Sequence, residues 1–185
     1  MIFNADQLFR FNRFSGYDRI GDANQLAYAI SSRWISEATG FERASLTLGQ
    51  IRYFANRRVR LCQNVDGFCF DDPLTLGLLP DDSSTSPLAS RLVYHFNPDW
   101  QMVGDYVYDP ATRATNNGNL NFQYQPAPDR LITFGYSYLV NGDVTQVANS
   151  AIQDNALNQA VVGYAWPLTE KWSTLGAYSY NISNQ

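Results

Sequence analysis

Residues 118–140 read Gly118-Asn119-Leu120-Asn121-Phe122-Gln123-Tyr124-Gln125, then Pro126-Ala127-Pro128-Asp129, then Arg130-Leu131-Ile132-Thr133-Phe134-Gly135-Tyr136-Ser137-Tyr138-Leu139-Val140. In an extended chain, successive side chains point to opposite sides. Leu120, Phe122 and Tyr124 therefore share one face, and Asn119, Asn121, Gln123 and Gln125 share the other. Beyond the turn, the same rule sets Ile132, Phe134, Tyr136, Tyr138 and Val140 against Thr133, Gly135 and Ser137. Proline and aspartate between two such runs mark a tight reversal. The stretch predicts a β-hairpin with one aromatic, apolar face and one uncharged polar face.

The alternation recurs elsewhere. Leu88, Leu92, Tyr94 and Phe96 oppose Arg91 and His95, and Leu26, Tyr28, Ile30 and Trp34 oppose Ala27, Ala29, Ser31 and Arg33. Segments 41–54 and 172–181 read as strands without a clear division of faces. The predicted strands are 25–36, 41–54, 88–96, 100–109, 118–125, 130–140, 155–166 and 172–181. Tight turns at 37–40, 97–99, 126–129 and 167–171 alternate with longer connections at 55–87, 110–117 and 141–154. Short turns at one end and long loops at the other are the signature of an outer-membrane barrel. Strands of this length suit a tilted bilayer crossing, which takes about 9–11 residues; globular strands usually run ~5–6. The expected fold class is all-β, a transmembrane antiparallel β-barrel, with this chain supplying about eight strands of a larger barrel. Residues 1–185 are expected to belong to one barrel domain, with 55–87 a long extracellular loop.

Composition agrees. Only 16% of the 185 residues are charged and 15% are aromatic, and soluble domains carry about 25% charge. The mean hydropathy is −0.31, and no apolar run approaches the ~18 residues of a spanning helix. A net charge of −4 without a basic stripe excludes nucleic acid as the expected partner. Lys171 is the only lysine and the other basic residues are arginines. Arginine stays charged in any surroundings and grips carboxylate or phosphate in a fork, which suits a polar lumen or headgroup-facing loops; plain compositional bias is the alternative. Trp34 and Phe41, Phe96 and Trp100, and Trp166 and Trp172 flank tight turns. Amphipathic rings at that level form the girdle of a membrane barrel, although cross-strand aromatic pairs next to any hairpin, worth ~0.2–1 kcal/mol, look the same. The start, Met1-Ile2-Phe3-Asn4, has no basic or apolar signal region. Either a leader has been removed or the chain is an excerpt of a longer protein.

Little in the sequence points to catalysis. His95 is the only histidine and falls on a polar face. No phosphate loop, dinucleotide fingerprint or nucleophile elbow occurs. Asp71-Asp72 and Asp81-Asp82 have oxygen ligands of the kind a divalent cation takes, but a solvated acidic loop is the preferred reading. Cys62 and Cys69 flank Asn64 and Gly67, residues that favour a turn. In an oxidising compartment the pair is expected to form a disulfide, stabilising the loop by roughly 2.5 kcal/mol on the chain-entropy estimate. Metal binding is the alternative, with no third or fourth ligand evident. The expectation is a protein that is not an enzyme and has no cofactor or resident metal.

One longer pattern is more specific. Leu8-Phe9-Arg10, followed by Ser15-Gly16-Tyr17-Asp18-Arg19-Ile20-Gly21-Asp22-Ala23-Asn24-Gln25, resembles the "LFR…(Y/F)SG.DRI..ANQ" loop of the LptD family of lipopolysaccharide-assembly proteins. The "SR" of that family's next strand stands here as Ser32-Arg33, and Leu48-Gly49-Gln50-Ile51-Arg52-Tyr53-Phe54 is similar to its "GQI.YF". Trp166-Pro167-Leu168, Lys171-Trp172-Ser173 and Gly176-Ala177-Tyr178 resemble its "WP…RWS..GAY" hairpin. The matches keep the family's order along nearly the whole chain, and Gly16, Asp18, Arg19, Ile20, Asn24 and Gln25 carry the loop motif.

The resemblance implies a periplasmic β-jellyroll followed by a very large barrel plugged by the lipoprotein LptE. Lipopolysaccharide arrives along periplasmic bridge proteins that join the N-terminal domain, and leaves through a seam between the first and last strands. This chain would then be part of the C-terminal half of the barrel, in the cell outer membrane and in contact with its lipid. The family's inter-domain disulfides use cysteines that neither Cys62 nor Cys69 matches. Arg33, Arg91, His95, Asn119, Asn121 and Gln123 would face the lumen, near LptE or passing glycolipid. Two rival expectations remain: another outer-membrane barrel such as a porin-like channel, and a soluble secreted β-sandwich that binds glycans.

Overall fold

The computed structural model describes residues 3–10, 24–55, 63–65, 68–70, 84–110, 113–139 and 157–182. In chain order the strands are β1 (Gln25–Ile35), β2 (Glu42–Tyr53), β3 (Gln63–Val65), β4 (Phe68–Phe70), β5 (Leu88–Asn97), β6 (Trp100–Asp109), β7 (Ala114–Ala127), β8 (Arg130–Leu139), β9 (Leu157–Pro167) and β10 (Ser173–Asn181). All but β3 and β4 make one 8-stranded sheet in the order β1-β2-β5-β6-β7-β8-β9-β10. Every pairing is antiparallel. Strands adjacent in this order are thus also consecutive along the main sheet, an up-and-down meander without crossovers. β3 and β4 form their own two-stranded ladder inside the long connection.

The tight turns have local causes. Gly40, at φ +67, takes the left-handed conformation that costs a glycine nothing. Its N–H donates to the Ser36 carbonyl at 2.8 Å, and the Ser36 N–H donates to the Phe41 carbonyl at 2.9 Å. Asn97 closes the next turn with its side chain: Oδ1 accepts from the Asp99 N–H (2.9 Å) and the Trp100 N–H (3.0 Å). Thr169 does the same in the last turn, its hydroxyl accepting from the Trp172 N–H at 3.1 Å. These are Asx- and ST-type closures.

At the other end the structure departs from the expected loops in two places. β7 begins at Ala114, so residues 110–117 are not one open loop. Asn117 pairs with Val107, and a register shift between Val107 and Tyr108 brings Tyr108 opposite Thr115. Asn116-Asn117-Gly118 has turn chemistry, but ladder pairing with β6 overrides it. Arg113, in the short link left over, adopts φ +56. The second departure is the returning end of the 55–87 connection. Residues 84–87 run beside β2: the Tyr53 N–H donates to the Ser84 carbonyl (2.9 Å), and Thr85 bridges Arg52. Ser86 is buried, with 1% exposure. Its N–H donates to the Ile51 carbonyl at 2.8 Å and its hydroxyl accepts the Ile51 N–H at 2.9 Å.

Among the described residues the buried apolar set is Leu8, Ile51, Ala89 and Val107. Against that small buried set, Ile30 is 72% exposed, Leu26 55% and Tyr178 68%. Water-soluble monomers rarely expose contiguous apolar surface on this scale. No second full sheet covers either face among the described residues, as a sandwich would require.

Candidate functional site

Residues directly opposite in an antiparallel ladder point to the same side, so the register carries each face across all eight strands. One face takes Leu26, Tyr28, Ile30 and Trp34 from β1, with Leu46 and Leu48 opposite. It continues through Leu92 and Tyr94 to Gly104 and Met102. From there it runs through Leu120, Phe122 and Tyr124 to Tyr136, Phe134 and Ile132. Val162 and Tyr164 follow, and Tyr178 and Tyr180 close it. The register also resolves β2 and β10, whose own sequences leave their faces ambiguous. Ser45, Thr47, Gly49 and Ile51 join Arg33, Ser31, Ala29 and Ala27 on the opposite side. Leu175, Ala177, Ser179 and Asn181 lie on that side too.

The apolar face has polar-tipped rings at both ends. Toward the long connections, Tyr28 donates its hydroxyl to Gln50 Oε1 and Tyr136 to Asn158 Oδ1, while Tyr106 shares a hydrogen bond with Thr115, each at 2.8 Å. Toward the tight turns, Trp100 stacks on Tyr124 with centroids 4.6 Å apart, and the Arg130 guanidinium lies 5.4 Å from the Trp166 ring centroid. Rings with one apolar side and one wet tip belong at the headgroup level. Phe41, expected in this belt beside Trp34, does not join it. Its ring meets His95 edge-on at 5.6 Å, on the polar side. The register shift between Trp34 and Ile35 turns the chain there.

The six polar residues singled out in the sequence all fall on the opposite face. Arg33 donates through Nε to Glu42 Oε2 at 2.8 Å and forms an ion pair with it. Arg91 pairs with Asp6, and its Nε stands 3.9 Å from Asp105 Oδ1. His95 Nδ1 is buried without a hydrogen-bond partner among the described residues. Asn119 donates to the Ser137 hydroxyl at 3.2 Å. Gln123 accepts from Gln101 Nε2 at 2.8 Å and donates to Gln125 Oε1 at 3.0 Å, and Asn121 lies opposite Gly135. These residues form a band across the sheet and not a pocket. Nothing in it pairs a nucleophile with a base, and no metal-binding cluster occurs among the described residues.

Sequence reasoning missed the segment ahead of β1. Residues 3–10, with a 3-10 turn at Ala5–Gln7, lie against the polar face. Leu8 fills a cup made by Ile51, Ala89 and Val107, with Phe3, Ala5, Ala27 and Tyr53 around it. Burying a leucine is worth about 1.5–3 kcal/mol. Gly49 forms the floor: a Cβ added there would collide with Leu8 Cδ1 and lie 2.9 Å from Ala29 Cβ. A glycine in mid-strand often marks a close approach by another segment, and it was the available signal. Of the motif loop, Gly16, Asp18, Arg19 and Ile20 lie outside the described residues, as do Cys62, Asp71-Asp72 and Asp81-Asp82. Cys69 lies in β4 opposite Asn64. Asn24 leads into β1, its carbonyl accepting the Phe54 N–H at 2.8 Å, and Gln25 pairs with Tyr53.

An antiparallel meander with an apolar face ringed at both ends, and a polar face opposite, is the wall of an outer-membrane β-barrel. The residues say which barrel. This chain belongs to the LptD family, LPS transport system D, whose family model matches residues 1–172. It is 63% identical over 183 residues to the LPS-assembly protein LptD of Legionella pneumophila (strain Lens), covering 99% of this chain and 22% of that protein. To the LPS-assembly protein LptD of Pseudomonas aeruginosa (strain UCBPP-PA14) it is 39% identical over 191 residues, 98% of this chain and 20% of the relative. The protein of the same name from Pseudomonas putida (strain F1) is 41% identical over 201 residues, again 98% of this chain and 20% of the relative. The chain therefore spans about a fifth of the length of these relatives.

Proposed function

We propose that this chain is a wall segment of the outer-membrane translocon that inserts lipopolysaccharide into the outer leaflet, a transport and assembly role with no catalytic step. The observation that carries the reading is the family match along residues 1–172, to proteins named for LPS transport and assembly. The two-faced sheet supports it. In this reading the aromatic face meets outer-membrane lipid, and Arg33, Arg91, His95, Asn119, Asn121 and Gln123 line the lumen. The partners are lipopolysaccharide, the lipoprotein LptE as plug, and the periplasmic bridge proteins that meet the family's N-terminal domain. The connection 55–87 lies on the cell surface, where Cys62 and Cys69 join in a disulfide. Thiol labelling of the denatured, unreduced protein should then find neither cysteine free, and stoichiometric labelling of both would refute the bond.

The deciding experiment places a photoreactive residue at 119, 121 or 123, and separately at 122, in a full-length protein that contains this sequence. Irradiation of living cells should yield lipopolysaccharide adducts from the polar-face positions; adducts from 122 alone would mean that lipopolysaccharide meets this sheet only from the surrounding leaflet. Absence of such adducts at all three polar positions, in protein that still assembles, would remove this wall from the lipopolysaccharide path.

A further inference from the structure

Residues 3–10 cross the polar face at the end where the long connections lie. Their anchor points come from successive strands: Gly49 and Ile51 in β2, Ala89 and Arg91 in β5, Val107 in β6 and Asn117 in β7. Among the described residues the hold consists of the Leu8 cup, the Arg91–Asp6 ion pair, and one hydrogen bond from Asn117 Nδ2 to the Phe3 carbonyl at 3.1 Å. None of these is a ladder bond, so the segment can leave without baring a sheet edge.

We propose that residues 3–10 form a reversible strap, latched by Asp6 to Arg91, that narrows the polar side of the barrel and swings away to open it. The wall already holds what the open state needs. When Asp6 departs, Arg91 is not left as an uncompensated charge, because Asp105 waits 3.9 Å from its Nε. In the closed arrangement Asp105 Oδ1 is buried and accepts no hydrogen bond from the described residues, and neither does Asn4 Oδ1 in the strap itself. Opening lets Arg91 close onto Asp105 and brings Asn4 to solvent. Asp6 meets Arg91 through Nη1 while Asp105 already stands 3.9 Å from Nε, so the guanidinium keeps a carboxylate beside it whether the strap is seated or away. The Asp6 side chain is 60% exposed, so the latch is a weak pair that a small force can break.

This inference rests on reading the polar face as the lumen side, but not on the identity of the cargo. A full-length protein containing this sequence, purified with its natural partners, is reconstituted in planar bilayers and its conductance recorded. Asp6→Arg, which sets two cations against each other, should raise conductance several-fold, and Leu8→Asp should do the same. The charge swap Asp6→Arg with Arg91→Asp, made together with Asp105→Asn so that two carboxylates do not meet in the wall, should restore the low value. Asp105→Asn, which removes the second partner of Arg91, should make openings rarer than in the parent. Heat-modifiable mobility is checked for every variant. Unchanged conductance in assembled Asp6→Arg and Leu8→Asp protein would overturn the strap, as would a swap that fails to restore the low value. Loss of assembly in Asp6→Arg would overturn it too, since the segment would then be part of the barrel's fold. Failure of the photo-crosslinking experiment would leave these conductance outcomes intact, so the two readings fail separately.

Discussion

Phe122 faces Phe134 across the β7–β8 ladder, whereas Asn121, one residue earlier, faces Gly135 on the other side of the sheet. Thr133 shares that second side with Gln123. An arginine on the lipid face near the bilayer midplane costs about 2–4 kcal/mol, while a lumen position is already wet. Phe122→Arg and Phe134→Arg in the full-length protein should therefore sharply reduce the fraction that folds into lipid vesicles. Asn121→Arg and Thr133→Arg should change it little. Equal losses at the four positions, read from heat-modifiable mobility and denaturant midpoints, would mean that this sheet does not face lipid. Neighbours in sequence separate here because period two is a local property of extended backbone. Phe41 shows the limit of that rule. Alternation cannot see the shift between Trp34 and Ile35 that sends its ring to His95.

At the scale of elements, the connection between β2 and β5 divides into two parts. Its returning end is tied to the sheet through Ser84 and Ser86. Because the Tyr53 N–H already bonds the Ser84 carbonyl at 2.9 Å, Phe54 and Ala55 are enough to close a two-residue hairpin. Deletion of residues 56–83 should leave the full-length barrel assembled. A deletion that also removes Ser86 leaves the buried Ile51 N–H without its acceptor, at a cost of about 1–3 kcal/mol, and should lower the denaturant midpoint clearly. Equal stability of the two deletions would show that residues 84–87 contribute nothing to the sheet. Their attachment was not legible in the sequence, because Ser84-Thr85-Ser86-Pro87 reads as loop chemistry and its partner lies more than thirty residues earlier.

For the whole molecule, the decisive feature is that β1 and β10 each pair on one side only among the described residues. In lipid every bare backbone N–H or C=O costs several kcal/mol, so an open sheet edge is not tolerated there. Residues 1–185 expressed alone should aggregate or join edge to edge in detergent, without the heat-modifiable mobility of a closed barrel. A monodisperse, closed eight-stranded barrel would show that this chain completes its own sheet. It would also contradict the reading of the chain as one wall of a larger pore. The relatives, about five times as long, have room for the missing partners.

The sequence by itself determined the eight strands of the main sheet, though neither the β3–β4 ladder nor the start of β7, together with the aromatic and polar faces of β1, β5, β7 and β8, and the family. Those properties reside in side-chain alternation, turn residues and motif order, all of which are local. The tertiary structure alone decided the faces of β2 and β10, the seat of Ser86 against Ile51, and the position of Leu8 over Gly49. Each depends on register and contact between residues far apart in the chain. A one-residue slip would send every side chain of a strand to the other face. Only the paired sheet fixes that choice.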